Sequence, residues 1–291
     1  MTTRTQHGRL LLRPHPDLQE IVRGILARAQ RLYLPPGTGI CGFCFLSNHY
    51  HLLIRVQNAG QLSAFMRYVN SNLAREVARL VDWRDHVWAR RYQAIVVSEE
   101  PEAQESRLRY LLSQGVKEGL VSHPGDWPGA QSVRALTEGV PIEGYWFDRS
   151  KEYFARRRKE DFERLKYATL ESLTLLPIPA WDALDPAERR QRAIAMADEI
   201  AAQHKLARRG REPLGRDSIL RQRPHELPMK SDRSPAPPFH ATSREARSAL
   251  LAAYRAFAGA YRRAAHLHRA EGTGAPFPPG SFPPALPFVG G

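Results

Sequence analysis

The chain has 291 residues, with 43 Lys and Arg against 30 Asp and Glu, a net charge of +13. That length holds one large domain or a domain with an extension, and the charge favours polyanionic partners, either nucleic acid or an acidic membrane surface. No apolar run approaches the ~20 residues of a membrane span, and residues 1–8 lack the apolar centre of a secretory signal. A soluble, cytoplasmic protein with no membrane partner is expected.

Leu10, Leu11 and Leu12 form a short apolar run before Pro14-His15-Pro16-Asp17, a turn and helix-start signal. Residues 17–33 then place Leu18, Ile21, Val22, Ile25, Leu26, Ala29 and Leu32 at helical spacing. Two apolar runs follow, 40–46 and 49–56, separated by Ser47-Asn48, which predicts a tight β-hairpin. Cys41 and Cys44 have the spacing of a redox pair or half a zinc site, but no second such pair exists. In a regular strand, residues three apart point to opposite faces. Both cysteines are therefore expected as small core residues whose thiols diverge.

His49 and His51 are two apart at the start of the second run, so their imidazoles project side by side and can share one divalent metal. Tyr50 and Leu52 face the opposite way, towards a core. An H-x-H pair also occurs in amidohydrolases, which need a full barrel that this order of elements does not offer. Histidine-triad hydrolases need a third alternating histidine, and position 53 is Leu.

A helix is predicted over 62–81 and a third strand over 87–97, where Arg90-Arg91 lies between Trp88 and Tyr92. Interleaved cations and aromatic rings suit a single-strand surface, where bases stack and phosphates pair. Residues 99–120 read as another helix, with Tyr110 and Gln114 one turn apart on one face. Tyr110 is either a core ring or a nucleophile; Tyr68 and Tyr92 read as packing or stacking rings. Gln114 offers an oxygen that, with two imidazoles, suits Mg²⁺ or Mn²⁺ phosphoryl chemistry.

Beyond Trp127-Pro128-Gly129 the character changes. Tyr145-Trp146-Phe147 is an aromatic cluster, and helices are predicted over 152–167, 184–206 and 242–268. The stretch 207–238 reads as basic, Pro-rich linker, and 275–291 as a Pro- and Phe-rich tail. The expected organisation is a first domain over 1–135, a helical basic extension over 136–206, a linker over 207–241, and a last helix and tail over 242–291.

Asn48-His49-Tyr50-His51-Leu52-Leu53, Trp88-Ala89-Arg90-Arg91-Tyr92 and the segment from Tyr110 to Val121 occur in the order found in single-tyrosine HUH transposases. The last segment resembles the tyrosine helix of the REP-associated tyrosine transposases, and the resemblance spans 10–132. It implies an α+β, ferredoxin-like HUH fold, an antiparallel sheet with helices packed on it, followed by a mostly helical extension. It implies a single-stranded DNA endonuclease and strand transferase, associated with the nucleoid and acting as monomer or homodimer on hairpin DNA. Tyr110 would be the nucleophile, with His49, His51 and Gln114 holding Mg²⁺ or Mn²⁺. Arg90, Arg91, Trp88, Tyr92 and Lys117 would contact DNA. The family begins with a strand before the first helix, and only residues 9–13 are expected to supply it here. The alternative is a domesticated relative that binds structured single-stranded DNA or RNA without cutting it.

Overall fold

A computed structural model of the chain describes residues 1–158, 163–228, 237–271 and 275–285. The protein is α+β. Its central sheet is antiparallel, ordered β1 (Thr2–Arg4), β3 (His49–Arg55), β2 (Gly39–Phe45). Both edges are extended by irregular bridges. Thr2 pairs with Gln93 and Thr5 with Trp88 on one side, and Cys44 pairs with Gln131 on the other. The strand expected over 87–97 is thus an irregular edge, with regular pairing confined to β4 (Val96–Val97).

The first strand is not at residues 9–13. It is β1, which pairs along the histidine segment with Thr2 opposite His51, Thr3 opposite Tyr50 and Arg4 opposite His49. Leu10, Leu11 and Leu12 are buried in a turn instead. Three residues are too few to show a period, which hides β1 from pattern reading.

Alternation along β2 and β3 splits the molecule into two cores. Phe43, Phe45, Tyr50 and Leu52 face α1 (Pro16–Tyr33) and α2 (Ala59–Leu80), whose buried stripes include Ile21, Ile25, Phe65 and Val69. Cys44 and Leu46 face α3 (Pro101–Leu112), through Leu108, Leu111 and Leu112. The cysteines do not diverge. A register shift between Ile40 and Gly42 inserts one residue, and Cys41 joins Cys44 in the α3-side cluster. Both are free and buried, and burial pushes the Cys41 thiol up to about 12.

The segment after residue 135 is less helical than its charge pattern predicts. A helix, α4 (Val133–Glu138), leads to β5 (Ile142–Phe147), which contains the aromatic cluster and pairs antiparallel with β6 (Ala168–Leu173). The helix expected over 152–167 is the shorter α5 (Arg149–Arg157). Ile142, Phe147 and Leu173 share the core under α1. β6 escapes pattern reading because its alternation is inverted: Leu170 is exposed while Glu171 is buried.

Glu171 is tolerated there because Arg28 donates to it at 2.7 Å and Arg31 donates twice, at 2.8 and 3.0 Å. Burial alone would raise its pKa. The bonds from Arg31 and Arg28 outweigh that and hold it below its ordinary 4.5. A depressed carboxylate stabilises the fold above its unfolded pKa, and that contribution is lost as pH falls through the folded value. Arg31 is largely exposed, so solvent discounts the pair. Glu171→Gln is expected to cost about 2 kcal/mol at pH 7 and to flatten the acid side of the stability curve. Parallel acid curves for the two proteins would refute this.

Farther on, α6 (Pro186–Arg208) packs Ala193, Met196 and Ile200 into the α3-side cluster, joined by Ile219 of α7 (Arg216–Leu220). The chain then returns to the first half as β7 (Phe239–His240), parallel to β4, and continues into α8 (Arg244–Glu271). The Glu100 carboxylate, just before α3, accepts from the backbone N–H of Thr242 and Ser243 at 2.9 and 2.8 Å. The junction of β7 and α8 is thereby tied to the start of α3. Among the described residues, no helix is long and apolar enough to cross a membrane.

Candidate active site

Pairing on both edges of β3 fixes the face that His49 and His51 present. Their ring centroids lie 5.0 Å apart, nearly perpendicular, on the side covered by α3. Each imidazole has one nitrogen already engaged. His49 Nδ1 lies 2.7 Å from Asn48 Oδ1, so it donates and leaves the Nε2 lone pair free. His51 Nδ1 lies 2.8 Å from Thr2 Oγ1. In the tautomer whose Nδ1–H donates to Thr2, Nε2 again carries the lone pair, and that atom is buried without a hydrogen-bond partner. Burial, reinforced by the Arg4 and Lys117 charges, pulls His49 down to about 3. Burial and then the neighbouring His49 hold His51 well below its ordinary value. Both rings are therefore neutral at pH 7, the form that binds metal.

Tyr110 stands on the last turn of α3. Its ring centroid is 5.5 Å from that of His51, at 89°. Tyr110 is 41% exposed, and among the described residues its hydroxyl has no hydrogen-bond partner. Lys117 Nζ lies 3.9 Å from the ring centroid.

Gln114 is not held by helical stacking over Tyr110. Helix α3 stops at Leu112, because Gly115 takes φ +84°, a left-handed conformation that favours glycine. The chain then turns, with Lys117 N–H donating to Ser113 O at 3.0 Å. Gln114 is buried in this turn, where Nε2 donates to Tyr110 O at 2.6 Å. Its Oε1 is buried and unpartnered. Two orphaned acceptors, Gln114 Oε1 and His51 Nε2, thus belong to residues flanking Tyr110, and buried polar atoms are rarely left so without a role. Among the described residues no three His, Cys, Asp or Glu side chains form a metal site. The donor set reaches three through the Gln114 amide, and two imidazoles with one hard oxygen fit Mg²⁺ or Mn²⁺.

The other candidates lie along the opposite edge of β1. Trp88 is taken up by packing: it stands edge-on to Tyr50 at 5.6 Å and donates from Nε1 to Asn70 O at 2.9 Å. Arg90 and Arg91 are exposed. The Arg91 guanidinium lies 5.1 Å from the Tyr92 ring and 4.1 Å from the ring of Phe282, delivered by the tail.

Thr2 was invisible to motif reading, because its role comes only from the pairing of β1 with β3. It is a positioning residue, since the partner of the far nitrogen sets ring orientation and tautomer. Thr2→Val is expected to raise the Mn²⁺ concentration for half-maximal activity by about tenfold or more. A metal titration of both proteins checks this, and superimposable curves would count against it.

Residues 4–114 match the family model described as Transposase IS200 like, a span that contains His49, His51, Tyr110 and Gln114. No curated protein and no solved structure matches the chain. Over residues 4–114 the chain is thus similar to IS200-like transposases, a likeness that points to a DNA-processing role.

Proposed function

We propose that this protein is a single-stranded DNA endonuclease and strand transferase of the HUH type, using Tyr110 as nucleophile on hairpin DNA, as in the REP-associated branch. The observation that carries the reading is Tyr110, exposed and without a hydroxyl partner, set perpendicular to His51 at 5.5 Å. His49, His51 and Gln114 would hold the cation. A bound Mg²⁺ or Mn²⁺ supplies Lewis-acid polarisation of the phosphodiester.

The residues themselves do the rest. Tyr110 Oη attacks phosphorus; the Oη–P bond forms and the P–O3′ bond breaks. The phenolic proton is released, and the departing 3′ oxygen takes one up from solvent. The products are a 5′-phosphotyrosyl enzyme and a free 3′-OH, a pair of similar energy that can reverse and join strands without ATP. Thr2 and Asn48 orient the imidazoles, and Arg90 and Arg91 track the backbone of the strand. Tyr92 offers a ring for stacking.

A non-cleaving DNA binder drew its support from a shortened first strand. β1 is three residues long and pairs with His49, Tyr50 and His51, so a strand does flank the histidines.

The test is incubation with labelled hairpin DNA from the sequence flanking the gene, in Mn²⁺ or EDTA, beside Tyr110→Phe. A covalent protein–DNA adduct that needs Mn²⁺ and vanishes in the variant is the expected result. Binding without an adduct under any condition would overturn the tyrosine mechanism.

A further inference from the structure

Arg107 lies one turn before Tyr110 on α3, with its Cζ 5.6 Å from the Tyr110 ring centroid. It is half-buried, and its Nε is buried with no hydrogen-bond partner. Among the described residues it makes no ion pair. Its neighbours on the same helix differ: Arg109 pairs with Glu199, and Glu105 pairs with Arg192. Elsewhere, Arg28 meets Glu171 and Arg149 meets Glu76 and Glu152, while the half-buried Arg9 and Arg13 donate to the backbone carbonyls of His225 and Leu220. A desolvated cation with no counter-charge is costly, and burial indeed pulls the Arg107 pKa below its usual value.

Among the described residues no carboxylate forms an ion pair with Arg107; the nearby Glu100 is instead bonded to Ser98, Thr242 and Ser243. His240, on β7, is held below its ordinary pKa by burial and then by the Arg107 charge, and its Nε2 is also buried without a partner. The segment that carries His240 comes from outside the matched family span and is anchored beside α3 through Glu100. On the Tyr110 ring itself, the second cation is Lys117, at 3.9 Å. Tyr110 is therefore bordered by two positive groups, of which Lys117 has Glu118 at 3.5 Å and Arg107 has no carboxylate partner among the described residues.

We propose that Arg107 is the phosphate-binding residue of this site: its guanidinium fork holds the DNA phosphodiester that Tyr110 attacks, with Lys117 as the second cation at the Tyr110 ring. This rests on the tyrosine-transfer reading for its chemistry but not for its ligand, which is a phosphate anion in either case. The physical reason is charge. A phosphodiester carries one negative charge, and attack by a phenolate gathers a second on the phosphoryl group as the Oη–P bond forms and the P–O3′ bond breaks. A fixed guanidinium stabilises that developing charge more than the ground state, and its planar fork suits two oxygens at once. The same group would retain the phosphate once it is esterified to Tyr110.

Two readouts on the full chain test this. The first is equilibrium binding of fluorescein-labelled oligo-dT between 50 and 200 mM NaCl, in wild type, Arg107→Gln and Arg107→Lys. The log–log salt slope is expected to shrink by about 0.7 in Arg107→Gln, the value for one phosphate contact on a single strand, and to persist in Arg107→Lys. The second is the single-turnover rate of adduct formation with Mn²⁺ and saturating hairpin DNA. It is expected to fall about 100-fold or more in Arg107→Gln, and to recover only in part in Arg107→Lys, which keeps the charge but loses the fork.

An unchanged slope together with an unchanged rate in a folded Arg107→Gln would overturn the proposal. If the wild type forms no adduct, the tyrosine mechanism fails and the salt slope alone decides for or against Arg107. Should Arg107→Gln melt well below the wild type, Arg107→Lys decides: a rate within twofold of wild type rejects the fork, and a tenfold loss at full salt slope supports it.

Discussion

Replacing His51 with alanine is expected to lower adduct formation by about 100-fold or more while leaving the affinity for single-stranded DNA within about twofold. His51 is the side chain with the most converging on it. Its Nδ1 is engaged by Thr2, its Nε2 is a buried lone pair without a partner, and its ring stands against Tyr110. Under the proposed mechanism alanine would remove a cation ligand, and it removes the ring that stands against Tyr110, so both the metal requirement and the rate should suffer. DNA affinity comes mainly from phosphate contacts and their salt dependence, to which a neutral imidazole adds nothing. The Mn²⁺ titration of the adduct rate should shift right, and saturating Mn²⁺ should fail to restore the wild-type plateau. A variant that bound DNA poorly but cleaved normally once bound would assign His51 to the DNA surface instead.

Gly24→Ala is expected to be among the most damaging single-methyl changes in the chain, at about 3 kcal/mol. Gly24 of α1 faces Gly144 of β5 at a backbone-to-backbone crossing. A Cβ at Gly24 would sit 2.3 Å from the carbonyl carbon and oxygen of Tyr145 and 2.7 Å from Trp146 N. Those atoms belong to a paired strand and cannot swing aside as a side chain could. Relief requires lifting β5 and β6 off α1, which exposes Ile142, Phe147 and Leu173 and parts Glu171 from Arg28 and Arg31. A midpoint lowered by roughly 5–10 °C in a thermal melt is the expected reading for that loss. A change of less than about 1 °C would mean that the two elements do not approach so closely in solution.

Much of the matched segment was legible because its signals are local. α1 and α2 bury long stripes at helical spacing, and β3 and the end of β2 nearest the hairpin alternate around a two-residue turn. Side-by-side projection of His49 and His51 follows from that alternation alone. The reading failed where a local rule was overridden. The bulge at Cys41 turned one thiol to the other side, and Gly115 ended the helix that was expected to carry Gln114. In β6 a buried Glu171 stands where an apolar residue would reveal the period, and only two arginines from α1 make that position acceptable.

The amino-acid sequence by itself determined the chemistry available to this protein: two imidazoles on one strand face, a tyrosine on a later helix, and a positive field suited to DNA. These depend on spacing within single elements and on net charge, which need no knowledge of what packs where. The tertiary structure decided which groups meet. It set Thr2 against His51, brought Tyr110 to the histidine face and carried β7 back beside α3. Among the described residues it also left Arg107 without an ion-pair partner. Such facts concern pairs far apart in the chain, whose proximity depends on the whole packed arrangement, so no local pattern carries them.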